Sequence, residues 1–455
     1  MKIVSIQIKN LYGYLNKKVT LNKDINLITG INGSGKTSVL NCINWLLSPS
    51  IENLVVTEHE TISIIVKADD TVYEVRSKQG DEHHTLEVIA DGSVNLFPPI
   101  STRLEQSPKA FTKDLAKKNE YLSSLDLHVT PDEEEAFNFI KDRLPSPIVI
   151  GLDRDMYAQY GEEITYLLRS ESGLRPVRRK RQTTSPVERI VELASRQYLE
   201  YKDERTALAK QLSEQLLLSS FEEFVSESDI RKIESQPRIN VKEVEALEDK
   251  VSSYFREVFG QKSQARDKRT ESQLKRVRSY FRQIKRVIGE SENRDRAFSL
   301  YVLNIAQFKK LEILIQKFED HEAQVARLFE PFRAFLAAVN DFLSDSGKKV
   351  QFDNVSGVLK FSLVKDELNQ ELRDVASLSS GEKQILILLT FIRFVEKSGG
   401  VFIIDEPELS LHPWWQERFL ERVKSIMPIG RQLLFATHSP ALVGNNRNYC
   451  IPLRP

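Results

Sequence analysis

The octet Gly30-Ile31-Asn32-Gly33-Ser34-Gly35-Lys36-Thr37 constrains this chain more than any other feature. It follows the apolar run Ile25-Asn26-Leu27-Ile28 and precedes a helix expected from Ser38 to Leu47. A glycine-rich loop in that strand–loop–helix setting cradles phosphates. Without Cβ atoms the glycines let backbone N–H groups point at an anion, and the helix N-terminus adds partial positive charge. Lys36 is expected to meet β- and γ-phosphate oxygens, and Thr37 to offer a hydroxyl to Mg²⁺. Gly30, Asn32, Gly33, Ser34, Gly35 and Ser38 complete the nucleotide-contacting set. Such a loop belongs at the edge of an α/β sheet.

Two further apolar strands end in chemistry. Val401-Phe402-Ile403-Ile404 runs into Asp405 and Glu406, and Leu433-Leu434-Phe435-Ala436-Thr437 runs into His438. Adjacent carboxylates at a strand end are commonly just solvated, and a strand-terminal histidine is commonly a hydrogen-bonded structural residue. Followed by Pro407-Glu408-Leu409-Ser410-Leu411-His412-Pro413, however, the pair resembles the same segment of OLD- and RecF-like ATPases, which implies Asp405 as the holder of Mg²⁺ and Glu406 as the residue that orients and deprotonates an attacking water. Mg²⁺ shared by Thr37 and Asp405 requires their strands in one sheet, and we expect those strands to be neighbours. Leu378-Ser379-Ser380-Gly381-Glu382 precedes an apolar helical run, so the serines read as an N-cap and the helix start as a second anion site.

Composition bounds the rest. At 455 residues, two or three domains fit. Sixty-five basic and 65 acidic residues cancel, so any nucleic-acid contact depends on local patches. The two cysteines, Cys42 and Cys450, exclude a disulfide framework or a cysteine zinc site and fit a reducing cytoplasm. No apolar run reaches the ~20 residues of a membrane span, so no membrane role is expected.

Strand patterns dominate residues 1–110 and return in 346–455, which we read as the two lobes of one head. Between them, 111–345 reads as a mainly helical insertion. From Val187 to Asp345 only Pro237, Pro331, Gly260 and Gly289 interrupt. Leu274, Val277, Phe281, Ile284 and Ile288 follow 3-4-3-4 spacing, which predicts a short coiled-coil arm. Two basic clusters could contact nucleic acid or a partner, or simply be solvated. One is Arg175, Arg178, Arg179, Lys180 and Arg181; the other is Lys268, Lys275, Arg278, Arg282, Lys285 and Arg286. His83-His84, and Asp153 with Asp155, lack further ligands at metal-binding spacing, so no nuclease metal site is expected.

The four motifs, in this order, resemble those of ABC-type ATPases. The resemblance covers roughly residues 1–100 and 346–455. Lys36 and Ser379 lie 343 residues apart, far more than in transporter ATPases, so the head is similar to the split heads of SMC, RecF and OLD-like proteins. The resemblance implies an α/β head whose mixed sheet carries the phosphate loop. It implies ATP and Mg²⁺ as cofactors, Ser379, Ser380, Gly381 and Glu382 as the signature that meets the γ-phosphate on an opposite head, and His438 as the switch histidine. It also implies a homodimer or higher oligomer joined through the heads.

Pro407-Glu408-Leu409-Ser410-Leu411-His412-Pro413 matches the OLD and RecF form of the segment after the carboxylates, with His412 where transporters carry aspartate. The opening Leu11-Tyr12-Gly13-Tyr14 resembles the ATPase subunit of the Septu anti-phage system, with the PARIS and retron-associated ATPases close behind. That implies a scaffold and sensor governing a separate nuclease subunit. A RecF- or SMC-like DNA-repair or maintenance ATPase is the alternative. Pro455 follows His438 by seventeen residues, so no Toprim nuclease of the OLD kind is expected.

Overall fold

The computed structural model describes residues 2–68, 70–92, 94–104, 108, 121, 131–144, 147–150, 166–170, 173–177, 185–218, 244–246, 248–249, 251–252, 275–283, 285, 294–365, 371–395 and 400–454. It divides into two compact units, Met1–Tyr198 with Phe332–Pro455, and Leu199–Pro331.

The first unit holds two main sheets. Strands β1 (Lys2–Leu11), β2 (Leu15–Thr20), β4 (Thr61–Ala68), β5 (Thr71–Gln79), β6 (His83–Ala90), β7 (Val94–Asn95) and β8 (Ile100–Arg103) form an antiparallel sheet. Its order is β2-β1-β4-β5-β6-β7, with β8 also on β6. Alternation buries Ile6 and Ile8 of β1 on one face, and a register irregularity between Ile3 and Ser5 lets Ile3 join the same core. Helix α1 (Lys36–Leu47) packs Val39, Leu40, Ile43 and Leu46 into the same core.

The second sheet is parallel: β3 (Ile25–Thr29), β9 (Pro147–Ile150), β15 (Val401–Asp405), β16 (Gln432–Thr437) and β17 (Cys450–Pro452) run in the order β17-β3-β16-β15-β9. Its central strands are near-continuous apolar runs because both faces are buried; every residue of β15 and β16 is buried. The strands leading to Gly30 and from Val401 to Asp405 therefore share a sheet but are not neighbours, contrary to the expected adjacency. Strand β16 lies between them, pairing with both. This order carries His438 to a position between the phosphate loop and the carboxylates, all at the carboxyl edge of the parallel strands.

The head also takes more of the chain than 1–110 and 346–455. Strand β9 pairs with β15, so residues assigned to the insertion complete the head sheet. Helix α4 (Pro186–Leu218) starts in the head unit, and the 50-residue helix α5 (Arg294–Leu343) ends in it, after α2 (Ile51–Val56) and α3 (Pro131–Arg143). The second compact unit spans 199–331. Period alone could not place these boundaries, because both helices run through them. Tyr198 stacks on Phe352 of β12 (Lys348–Phe352) at 4.3 Å and meets Phe332 edge-on. The stretch before α4 also holds the hairpin β10 (Tyr166–Ser170) and β11 (Gly173–Val177), not helix.

In the second unit, Tyr201 packs against Phe329 at 5.5 Å, and Lys317 Nζ donates to the Gln215 carbonyl at 3.3 Å. Lower residue numbers on α4 meet higher ones on α5, so the two helices run antiparallel there. Of the predicted seam, Phe281 is 1% exposed and Val277 half-buried, while Leu274, Ile284 and Ile288 lie outside the described residues.

Candidate nucleotide site

The loop between β3 and α1 folds as its glycines demand. Gly33 (φ 80°) and Gly35 (φ 92°) take left-handed backbone that side chains rarely adopt. A Cβ on Gly35 would also sit 2.9 Å from Leu15 Cδ2. Gly35 is the N-cap of α1, so the first-turn N–H groups face the loop with no acidic side chain to compete. Asn32, Gly33, Gly35, Lys36, Thr37, Ser38, Glu406 and His438 line one cleft of about 360 Å³.

Lys36 is 5% exposed. Its Nζ donates to the carbonyls of Gly30 (3.0 Å) and Ile31 (3.2 Å) and lies 3.3 Å from His438 Nδ1. Burial lowers its pKa, against the support of Glu406, Asp405 and Glu408. Asp405 shows the reverse: burial raises its pKa, and the Thr37 hydroxyl within reach of the carboxyl opposes that. Its Oδ1 is buried without a hydrogen-bond partner, as is Ser34 Oγ. An unpaired buried carboxylate oxygen beside a threonine hydroxyl fits a hard cation such as Mg²⁺, which takes one or two protein oxygens and the rest from phosphate and water. The loop fits the phosphates themselves.

Glu406 lies just past β15 with φ 48°, an uncommon conformation for glutamate. Its N–H stays tied to the Ala436 carbonyl at 2.8 Å, while its Oε1 stands 3.6 Å from His438 Nε2. Lys36, His438 and Glu406 thus form a continuous row.

The signature segment stands elsewhere. Ser379 caps α6 (Ser380–Phe394): Glu382 N donates to Ser379 Oγ at 3.4 Å and Ser379 N donates to Glu382 Oε2 at 2.8 Å, a capping box. Glu382 is 3% exposed and receives Lys348 Nζ at 2.9 and 2.8 Å and Ser346 Oγ at 2.6 Å. Burial would raise its pKa, yet these donors hold it down at about 2. Ser379 and Ser380 are exposed, and neither they nor Gly381 and Glu382 line the cleft. Gly381 packs against the segment after Glu406, where a Cβ would come within 2.8 Å of the Ser410 carbonyl.

Sequence reasoning missed several residues. Tyr14, 70% exposed, and Leu15 line the cleft beside the loop, although Tyr14 entered only through a resemblance. Glu408 accepts hydrogen bonds from the turn that carries His438. The sole signal for either was proximity to a motif.

The histidine pair is structural in half: His83 is exposed, but His84 is 1% exposed and its Nε2 meets Ser77 Oγ at 2.8 Å. Ser77 in turn meets His59 Nε2 at 2.8 Å. Among the described residues no group of three or more His, Cys, Asp or Glu could hold a metal. Asp153 and Asp155, like Arg178 to Arg181, Lys268 and Arg286, lie outside them. Of the second basic cluster, Lys285 is paired with Glu248 at 2.7 Å, while Arg278 and Arg282 are exposed. No described helix is long and apolar enough to cross a membrane.

The solved structures to which the chain is remotely similar include two Smc head domains. The Smc head domain with an extended coiled coil bound to the C-terminal domain of ScpA, from Pyrococcus furiosus, is 12% identical, with 98% of this chain and 91% of that chain covered and a TM-score of 0.36. The Smc head domain with a coiled coil and joint, from Pyrococcus yayanosii, is 14% identical, with 98% and 93% covered and a TM-score of 0.35. Likenesses so remote establish neither a function nor a partner. The family profile for the AAA ATPase domain is a different matter, matching residues 1–443 and so embracing the phosphate loop, both carboxylates and His438. This chain belongs to the AAA ATPase domain family.

Proposed function

We propose that the chain binds and hydrolyses ATP with Mg²⁺, and that ATP joins two heads in a homodimer or higher oligomer. The observation that carries this reading is the row Lys36–His438–Glu406 set along a phosphate loop. On ATP binding, Lys36 exchanges the Gly30 and Ile31 carbonyls for β- and γ-phosphate oxygens. Thr37 and Asp405 hold Mg²⁺, which when bound neutralises charge on the phosphates. Glu406 orients a water and takes its proton as the oxygen attacks the γ-phosphorus and ADP leaves. His438 steadies the γ-phosphate oxygens. Exposed Ser379 and Ser380, which do not line this cleft, suit contact with nucleotide held by a second head.

The wider role rests on the resemblance to Septu-type ATPases: the ATP-joined assembly scaffolds and regulates a separate nuclease subunit in anti-phage defence. Light scattering of the purified chain with and without ATP, together with phosphate release, tests the first part. ATP-dependent association with hydrolysis is expected, and an unchanged mass without phosphate release would end the reading. Phage challenge of cells carrying the chain alone or with its adjacent gene tests the second; protection by the chain alone would refute a separate effector.

A further inference from the structure

We propose that Glu408 is a positioning residue for the reaction, acting through His438. This rests on the proposed role of His438 beside the γ-phosphate. Glu408 follows the catalytic strand by three residues, yet its side chain turns back to the neighbouring strand end. A single oxygen, Oε1, accepts hydrogen bonds from Thr437 Oγ1 (2.7 Å), His438 N (2.7 Å) and Ser439 N (3.0 Å). These donors are the successive residues that carry the imidazole, so this carboxylate sets where His438 stands between Lys36 and Glu406.

The arrangement is closed by a second side chain. Ser439 Oγ donates to Gln416 Oε1 at 2.5 Å, and Gln416 Nε2 donates back to the carbonyls of Leu411 (2.8 Å) and Glu408 (3.3 Å). The turn is thereby fastened to the segment beyond Glu406 at two points. Charge-assisted bonds to one carboxylate oxygen are stronger and more directional than neutral ones, which suits holding a ring in place. Thr437 is buried, so the pin lies inside the protein rather than on a solvated loop. Catalytic geometry is sensitive at this scale: a displacement of about 1 Å can cost on the order of 10²-fold in rate.

The test is a double-mutant cycle on the full-length chain, with steady-state ATPase kinetics as readout. Glu408→Ala is expected to lower kcat by roughly tenfold to 10²-fold with little change in KM, the mark of an interaction made mainly in the transition state. Glu408→Gln keeps an acceptor oxygen and is expected to restore most of that loss. Combined with His438→Ala, Glu408→Ala should cost nothing further. If the two losses multiply, Glu408 does not act through His438 and the proposal falls. If His438→Ala hydrolyses ATP like the unaltered protein, the role of His438 falls and the proposal with it. Should Glu408→Ala fail to fold, Thr437→Val removes one of the three donors alone. It should give a smaller loss that also vanishes in the His438→Ala background; a loss that persists there overturns the proposal.

Discussion

At the scale of single residues, the site divides its work by environment. Glu406 projects from a left-handed backbone position into the cleft, whereas Asp405 stays buried at the end of its strand. Glu406→Gln should bind ATP with near-normal affinity but hydrolyse it about 10²- to 10⁴-fold more slowly, since an amide cannot take the water's proton. Equilibrium binding of a fluorescent ATP analogue beside phosphate release separates the two effects. Lys36→Ala should instead weaken binding itself. Gly381 is constrained by shape: a methyl there meets the Ser410 carbonyl, a backbone atom that cannot swing away. These positions differ in legibility. Lys36, Asp405 and Glu406 could be singled out because their chemistry depends on local motifs. Glu408 could not, because its partners are about thirty positions along the chain.

At the scale of elements, helix α6 owes its start to more than its own capping box. Glu382 is held by Ser346 and Lys348, which directly follow the long helix α5. The foot of α5 is also tied to α7 (Pro413–Ile426), with Asp345 accepting from Trp415 Nε1 at 2.9 Å and from Arg418 at 2.7 Å. Lys348→Met strands a buried carboxylate, and should cost about 2 kcal/mol or more of stability, read as a lowered denaturant midpoint. Ser379→Arg places a bulky cation at an exposed helix cap. With hydrolysis blocked by Glu406→Gln, light scattering should show that variant unable to join heads on ATP; an unaltered assembly would assign the contact to the insertion alone. The apolar strands of the parallel sheet were legible as elements, since burial on both faces leaves no polar positions. Their order was not, because insertion of β16 between β3 and β15 depends on pairing across hundreds of residues.

At the scale of the whole molecule, a buried pair of histidines sets an acid limit. Burial pushes His59 down to about 4, against a hydrogen bond to the Thr57 carbonyl, and burial with the nearby His59 pushes His84 down to about 3. Unfolded, both titrate near the ordinary value of about 6.5. Below that pH the unfolded chain binds more protons than the folded one, so stability is full above pH ~6.5 and falls as pH drops towards 4 and 3. The slope is about 1.4 kcal/mol per pH unit for each histidine. Urea midpoints measured between pH 7 and pH 5 should fall in the unaltered protein and fall less steeply in His84→Leu; equal slopes would show that His84 is not responsible. The purified chain should also leave plasmid intact with Mg²⁺ or Mn²⁺, with or without ATP. Cleavage that survives purification and is abolished by replacing Asp153 and Asp155 would overturn the separate-nuclease reading.

The sequence by itself determined that the glycine loop joins a strand to a helix and that Asp405, with Glu406 after it, and His438 stand at the ends of apolar strands, because each pattern lies within one short segment. It determined the helical character of much of the middle of the chain, because sparse breakers and a 3.6-residue period are local properties. The tertiary structure alone decided that residues 147–150 complete the head sheet and that helices α4 and α5 belong partly to the head. It also decided that β16 stands between β3 and β15, and that Glu408 grips the turn carrying His438. These features are pairings between segments remote in sequence, chosen by which faces can be buried together, and no periodicity within either partner records that choice.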